Sequence, residues 1–273
     1  MSTFPTSRLS KTLLGVSREL EIFTGRKAAN CKEASLNSKY GVFPNRLPNQ
    51  YTRLNYFGIG TGGRYNVNDD NLTAPHAVKT TNMDLYRPIP FRCVPAEQDL
   101  TDAERAPYRL RVPETIRGEE YICYYLKILE YLNEEVVLTE TNPVTGNEED
   151  HILDVSNLTP TPPSTNINDP DEQVEINATV SVGLPITGKE VTEAVNVMFD
   201  GDLRRAVISE IGLYAGEDAT VSVTDTTGSS FNYTEAILAQ LVAHYTFNGS
   251  DLSQPDSVFN PKLKIGKDDL IVK

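Results

Sequence analysis

The chain has 273 residues, of which 39% are hydrophobic and 23% charged, and it contains 17 Pro and 17 Gly. This length allows one large all-β domain or two small ones, and the Pro and Gly content favours short strands joined by many turns. No apolar run reaches the roughly 18 residues that cross a bilayer, and the N-terminus lacks the apolar core of a signal peptide. We therefore expect a soluble chain made in the cytoplasm, without a membrane partner.

The formal net charge of −13 is unevenly distributed along the chain. Residues 1 to 64 carry ten Lys and Arg against three Asp and Glu, whereas the remainder carries 15 against 35. We call residues 1 to 64 the basic head and the remainder the acidic body, because the two parts have opposite net charges. The cations are spread out, and the acidic body would repel a phosphate backbone, so the acidic body of a sister subunit is a better match for the head than nucleic acid.

The three cysteines, Cys31, Cys93 and Cys123, are widely separated and contain no CxxC pair. This pattern indicates neither a disulfide framework nor a zinc site, and it predicts reduced, structural thiols.

Residues 1 to 50 are predicted to form a basic N-terminal arm, extended and with at most one short helix around Lys11 to Phe23. About 50 extended residues would reach on the order of 150 Å, far enough to contact several neighbours in an assembly. A disordered tail that orders nothing is the alternative interpretation. The candidate residues for contacts between subunits are Arg8, Lys11, Arg18, Arg26 and Lys27.

A glycine-rich stretch, YFGIGTGG, follows from Tyr56 to Gly63 and formally matches G-x-G-x-x-G. A dinucleotide site requires these glycines to open a helix, but the next residues have the composition of a loop. A phosphate-binding P-loop is excluded because Arg64 and Tyr65 stand where Lys and Ser or Thr are required. An EF-hand is excluded because Asn71 stands where that motif needs Gly. No cofactor is therefore predicted.

The middle of the chain is rich in turn signals. Pro88 and Pro90 confine any strand near them to an edge or a bulge. A β-hairpin is predicted from Tyr121 to Leu132 and Val136 to Thr141, although apolar residues at helical spacing make a helix the competing interpretation. Residues 142 to 171 are predicted to be a Pro-rich loop or connection.

The C-terminal half is predicted to be mainly strands. Residues 175 to 187 alternate cleanly and predict a half-buried antiparallel strand, and 191 to 200 predict a further strand. Residues 204 to 216 predict an irregular strand with a bulge near Ser209 and Glu210. A polar loop at 215 to 232 and a stretch at 234 to 247 that begins helical and ends as a strand come next. Residues 251 to 273 are predicted to form a C-terminal extension with one short strand.

None of the common catalytic patterns is present, so no catalytic residue and no enzymatic activity is predicted. His76, His151 and His244 lie far apart without ligands at metal-binding spacing, and no metal site is predicted. Glu210, charged among apolar neighbours, is interpreted as structural, either facing solvent or fixed by backbone N–H groups or a cation.

The order GIGTGG, ISEIGLY and LVAHYTF resembles a recurrent pattern of tailed-bacteriophage virion proteins and covers roughly Leu54 to Phe247. The resemblance implies a mostly β, antiparallel, β-sandwich-like module at 51 to 250, found in neck, collar, baseplate or fibre-attachment components. The basic arm and the Pro-rich loop depart from that pattern and leave the location in the particle open. The structural motif residues are Gly58, Gly60, Gly62, Gly63, Glu210, Gly212 and Tyr214.

The resemblance implies a non-enzymatic structural component of the virion, made in the host cytoplasm, in a homo-oligomeric ring or another multi-copy assembly. Its partners would be other virion proteins and copies of itself. A capsid decoration protein and a glycan-binding adhesin module are the alternatives. A glycan-degrading enzyme would need a pair of carboxylates at a fixed separation.

Overall fold

The computed structural model of the chain describes residues 7–26, 32–49, 51–67, 72–141, 145–152, 173–224 and 228–272. The predicted fold class is confirmed: the described chain is mostly β and its sheets are antiparallel. The strands are β1 (Ser7–Lys11), β2 (Arg53–Gly60), β3 (Arg64–Asn66), β4 (Thr73–Pro75), β5 (Pro88–Ile89), β6 (Arg92–Pro95), β7 (Arg111–Ile116), β8 (Glu119–Tyr124), β9 (Lys127–Ile128), β10 (Glu130–Tyr131), β11 (Val137–Thr141), β12 (Glu148–Asp150), β13 (Gln173–Gly183), β14 (Ile186–Thr187), β15 (Val207–Thr224), β16 (Ser230–Asp251), β17 (Val258–Phe259) and β18 (Lys262–Val272). The α-helices are α1 (Leu13–Thr24), α2 (Leu36–Tyr40), α3 (Asp102–Arg105) and α4 (Gly188–Met198).

The chain divides into two compact units, the first comprising residues 1–129 and 186–259 and the second residues 130–185 and 260–273. These boundaries differ from the predicted ones at 50 and 250. The first unit begins earlier because β1 is a member of its main sheet, and the second unit includes β18 because that strand pairs with β13.

The first unit is built on a six-stranded sheet in the order β1-β16-β15-β2-β5, with β9 also paired to β2. Its centre is a long hairpin in which β15 and β16 pair from Val207 to Thr224. The core includes Tyr56, Leu110, Leu126 and Leu241, all fully buried. As the prolines predicted, β5 lies at an edge of the sheet.

The second unit is a five-stranded sheet centred on β13, the strand that the alternating pattern predicted. One edge of β13 pairs with β18 along 11 residues of β13, and the other edge pairs with β10 and β11. β11 in turn pairs with β12, whose other edge is open within the described part of the chain. Most of the predicted Pro-rich loop at 142 to 171 lies outside the described residues, and its described part is not all loop, because it contains the strand β12.

The predicted hairpin at 121 to 141 is wrong. β8 pairs with β6 and β7, whereas β11 pairs with β12 and β13. Both segments have strong strand propensity, but propensity does not choose the partner strand.

The strand predicted at 191 to 200 is the helix α4. Thr187 and Glu190 form a capping box at its start, and Val191, Ala194 and Val195 are buried at helical spacing. The carboxylate of Glu190 also accepts hydrogen bonds from Tyr108 and Lys127, both at 2.7 Å. These tertiary contacts fix the helix in place.

The polar loop predicted at 215 to 232 is also wrong. β15 continues to Thr224 and β16 begins at Ser230, because the two strands stay paired as far as these two residues. The stretch at 234 to 247, expected to begin helical, is strand throughout.

The prediction of reduced thiols is wrong for Cys93 and Cys123, which form a disulfide. Cys31 lies outside the described residues. Cys93 and Cys123 lie directly opposite each other on β6 and β8, with their Cα atoms 4.2 Å apart. Adjacent strands bring side chains this close, whereas the 30-residue separation along the sequence gave no sign of it.

None of the helices in the described residues is long and apolar enough to span a membrane.

Candidate functional site

The motifs GIGTGG and ISEIGLY lie side by side in the main sheet. β2 and β15 pair antiparallel, so that Gly60 lies opposite Glu210, Gly58 opposite Gly212, and Tyr56 opposite Tyr214. The prediction that both stretches belong to one β-module is therefore confirmed. The bulge predicted near Ser209 and Glu210 is present as a shift in the pairing of β15 with β16.

Glu210 is fully buried and its carboxylate has four hydrogen-bond donors. Oε1 accepts from the backbone N–H groups of Gly62 at 2.9 Å and Arg87 at 2.8 Å. Oε2 accepts from the N–H of Tyr86 at 2.9 Å and from Nε2 of His244 at 3.0 Å. Burial by itself would raise the pKa of Glu210, but the bonds from His244 and the three backbone N–H groups outweigh it and hold this pKa below its ordinary value.

The glycine loop around Glu210 has no room for side chains. A Cβ atom on Gly63 would overlap the carbonyl oxygen of Ser209, and one on Gly60 would lie against Oε1 of Glu210. The N–H of Gly63 also donates to Oγ of Ser209 at 3.0 Å. The loop therefore approaches β15 closely enough for its backbone to bind the Glu210 carboxylate.

Gly58 and Gly212 make room for the ring of Tyr214. The ring lies 3.2 Å from the position of a Cβ on Gly58 and closer still to one on Gly212. The hydroxyl of Tyr214 donates to Oδ1 of Asp84 at 3.0 Å, and burial raises the pKa of this tyrosine well above its ordinary value. All seven predicted motif residues thus belong to one packed cluster, which we call the Glu210 anchor.

Sequence reasoning missed His244 as a member of this anchor. Nδ1 of His244 lies 3.3 Å from the amide nitrogen of Asn82, which also donates to Tyr86 Oη at 3.1 Å. Because an amide nitrogen only donates, Nδ1 accepts, and we assign the Nε2–H tautomer that donates to Glu210. The position of His244 within LVAHYTF gave a signal, but its pairing opposite Gly212 was needed to interpret it.

The Glu210 anchor is suited to holding the structure together and unsuited to catalysis. Its carboxylate has 0% exposure and its oxygens are occupied by four donors, so it has no lone pair directed at a substrate. No group of three or more His, Cys, Asp or Glu that could hold a metal occurs among the described residues.

The predicted arm is folded onto the main sheet over residues 7 to 26. β1 pairs with β16 along its whole length, and Thr12 then caps the start of α1. Arg18 is the clearest correction among the candidate contact residues, because it is only 6% exposed. Its guanidinium forms an ion pair with Glu21 and donates to Oε1 of Gln240 at 2.6 Å.

The other candidate arm residues differ in their surroundings. Arg8 and Arg26 are exposed, and Lys11 forms an ion pair with Glu19 on α1. Lys27 lies outside the described residues. The basic head therefore presents Arg8 and Arg26 to solvent, while Arg18 attaches the helix to its own sheet.

The helix α1 buries two charged side chains and exposes a row of apolar ones. Its buried residues include Arg18 and Glu21, and Gly15 lies against the backbone of Val242. The outward face carries four apolar residues at the spacing i, i+3, i+7, i+10, which we call the α1 stripe. They are Leu13 (59% exposed), Val16 (43%), Leu20 (56%) and Phe23 (88%). Such spacing aligns side chains along one side of a helix, as in a coiled-coil seam.

A family model described as a family of unknown function, DUF7208, matches residues 1–273, and the chain belongs to this family. Neither the curated proteins nor the solved structures contain a significant match to it.

Proposed function

We propose that this DUF7208 chain is a structural component of a tailed-phage particle, in the neck, collar or tail region, that acts through subunit contacts in a ring or another multi-copy assembly. Two features support the proposal. The motif order that resembles virion proteins spans both glycine motifs and LVAHYTF. In the structure, residues of all three motifs meet in the buried Glu210 anchor, which suits a rigid scaffold.

The α1 stripe is the observation that carries the proposal. Helices on soluble proteins place their apolar face on the core, and a contiguous apolar face left in solvent marks an interaction surface. The ion pair of Arg18 with Glu21 and the bond to Gln240 hold the opposite face of α1 on the sheet. The outward direction of the stripe is therefore built into the fold.

The size of the stripe fits a contact that works in many copies. Burying its exposed parts would contribute on the order of 5 kcal/mol for each copy. Association of two proteins costs roughly 4 to 15 kcal/mol in lost freedom, so this contact alone gives weak pairing. Simultaneous contacts in a closed assembly would make it stable.

Incorporation into particles tests the proposal. The gene for this chain is interrupted in the phage, and the host that produces the particles is supplied with either the wild-type chain or the variant L20D/F23D. Purified particles are then probed for the chain. We expect every particle to contain the wild-type chain. The amount of the variant in the particles should be at least tenfold lower. Val258, 71% exposed on the same unit, provides the control V258D, which should be incorporated normally.

Two results would contradict the proposal. Particles that lack the wild-type chain would exclude a virion role, and normal incorporation of L20D/F23D would exclude the stripe as the contact. A reconstruction that places the chain on the head surface would instead favour a capsid decoration protein. Point variants are preferable to deleting the arm, because β1 belongs to the main sheet and α1 packs against it.

A further inference from the structure

We propose that one copy of this chain binds the next head to tail, with the open edge of β1 pairing with the open edge of β12 in a second copy. This inference rests on the proposed function and names the two surfaces that meet. Within the described residues β1 pairs only with β16, and β12 pairs only with β11. Each strand therefore leaves one row of backbone N–H and C=O groups available to another strand.

The charges on the two edges select this pairing over the alternatives. β1 has the sequence SRLSK, with two cations and no acid, whereas β12 has the sequence EED. Two β1 edges would bring arginine and lysine side chains together, and two β12 edges would bring carboxylates together. Both like pairings are repulsive, so only β1 with β12 is electrostatically favourable.

The alternation of side chains allows complementary charge on both faces of the joined strands. Arg8 and Lys11 point to opposite faces of β1, since they are three residues apart. Glu149 and Asp150, both exposed, likewise point to opposite faces of β12. Glu148 is already paired with Lys264 at 3.2 Å, which leaves Glu149 and Asp150 as the main partners.

Apolar residues accompany each edge. Leu9, 46% exposed, shares a face of β1 with Lys11, whose ammonium reaches Glu19 on α1, so Leu9 lies on the α1 side. Ile152, 87% exposed, follows β12 by two residues. A β12 edge docked on β1 would carry Ile152 close to this apolar surface and the α1 stripe.

The same charges argue against a two-fold contact between α1 helices. An isologous interface brings the same patch of both copies together, so two patches that each carry the exposed cations Arg8 and Arg26 would meet. A head-to-tail contact instead places the basic head on the acidic body, in line with ten cations against three acids in residues 1 to 64.

A charge-exchange experiment tests the inference with three variants of the full chain: R8E, E149R/D150R, and all three substitutions combined. Sedimentation equilibrium should show concentration-dependent association of the wild-type chain. R8E alone and E149R/D150R alone should each associate at least tenfold more weakly. A 1:1 mixture of the two should regain wild-type affinity within about threefold, because both contacts in the mixture are complementary, and so should the combined variant. R204E, altered at a 91% exposed arginine of the first unit, is the control and should associate like the wild type.

Several outcomes would overturn this inference. Single variants that associate as tightly as the wild type, or a mixture and a combined variant that stay weak while circular dichroism shows them folded, would each exclude the β1–β12 contact. A wild-type chain that remains monomeric at every concentration would exclude it too. Particles that contain the chain would still support the proposed function in those cases, whereas particles that lack it would remove the proposed function itself.

Discussion

The buried carboxylate of Glu210 gives the sharpest test of the anchor. In E210Q the side chain keeps its shape but loses its charge, and one of its oxygens becomes an amide nitrogen that faces an N–H donor. At least one donor among Gly62, Tyr86, Arg87 and His244 is then left buried without an acceptor. Hydrogen bonds to a charged group contribute about 1.5 to 3 kcal/mol each, and breaking a buried charged network costs about 3 to 5 kcal/mol.

We therefore expect E210Q to lower the free energy of unfolding by on the order of 4 kcal/mol, a large part of the roughly 5 to 15 kcal/mol of an ordinary domain. Urea unfolding at pH 7, followed by circular dichroism, measures this difference. E217Q is a matched control on the same strand, because Glu217 accepts one hydrogen bond, from the N–H of Asn49, and is partly exposed. It should cost less than about 1 kcal/mol.

The pH dependence of the same variant checks the charge. The pKa of Glu210 is lowered in the folded chain from the ordinary value of 4.5. Its charge therefore stabilises the fold above about pH 4.5 and loses that effect as the pH falls through the folded pKa. The stability difference between the wild type and E210Q should shrink in acid. A cost below 1 kcal/mol at pH 7, or a difference that does not change with pH, would refute the reasoning.

Three further predictions concern stability. G63A should lower the free energy of unfolding by more than about 2 kcal/mol, because its Cβ meets the carbonyl of Ser209. The Cβ of G118A meets no atom within 4 Å, so this control should lose only about 1 kcal/mol, for its positive φ. Equal losses of stability in urea unfolding would contradict the close packing at Gly63. Burial raises the pKa of Glu235 from 4.5 to about 8, despite hydrogen bonds from Tyr233 and the N–H of Arg111. The wild type should therefore lose stability as the pH rises from 4.5 to 8, whereas E235Q should not and should be more stable than the wild type at pH 8 by on the order of 3 kcal/mol. An equal difference in unfolding free energy between the two chains at pH 5 and at pH 8 would contradict this. The cysteines of the Cys93–Cys123 disulfide are 30 residues apart, and reducing it should lower the free energy of unfolding by about 3 kcal/mol. The same reductant should not change the stability of C93S/C123S. An equal effect of the reductant on both chains would contradict the disulfide.

The sequence alone determined the features that depend on local chemistry. The alternating pattern placed β13, the prolines placed β5 at an edge, and the out-of-phase apolar residues around Glu210 predicted a bulge in β15. Each depends on neighbours in the chain, through the two-residue period of a strand or the missing N–H of proline. The residues after GIGTGG likewise predicted that the glycines open no helix, and the strand β3 follows them.

Tertiary structure decided the features that depend on distant partners. Strand propensity in residues 121 to 141 could not choose between a local hairpin and the separate partners that β8 and β11 have. The cross-strand distance joined Cys93 to Cys123, and the pairing of β15 with β16 brought His244 to Glu210. The arm shows the same limit: its cations predicted contacts, but only the packing of Arg18 on Gln240 turned charge inward and apolar side chains outward on α1. Burial and pairing across long sequence separations set these outcomes, and neither is encoded in a local pattern.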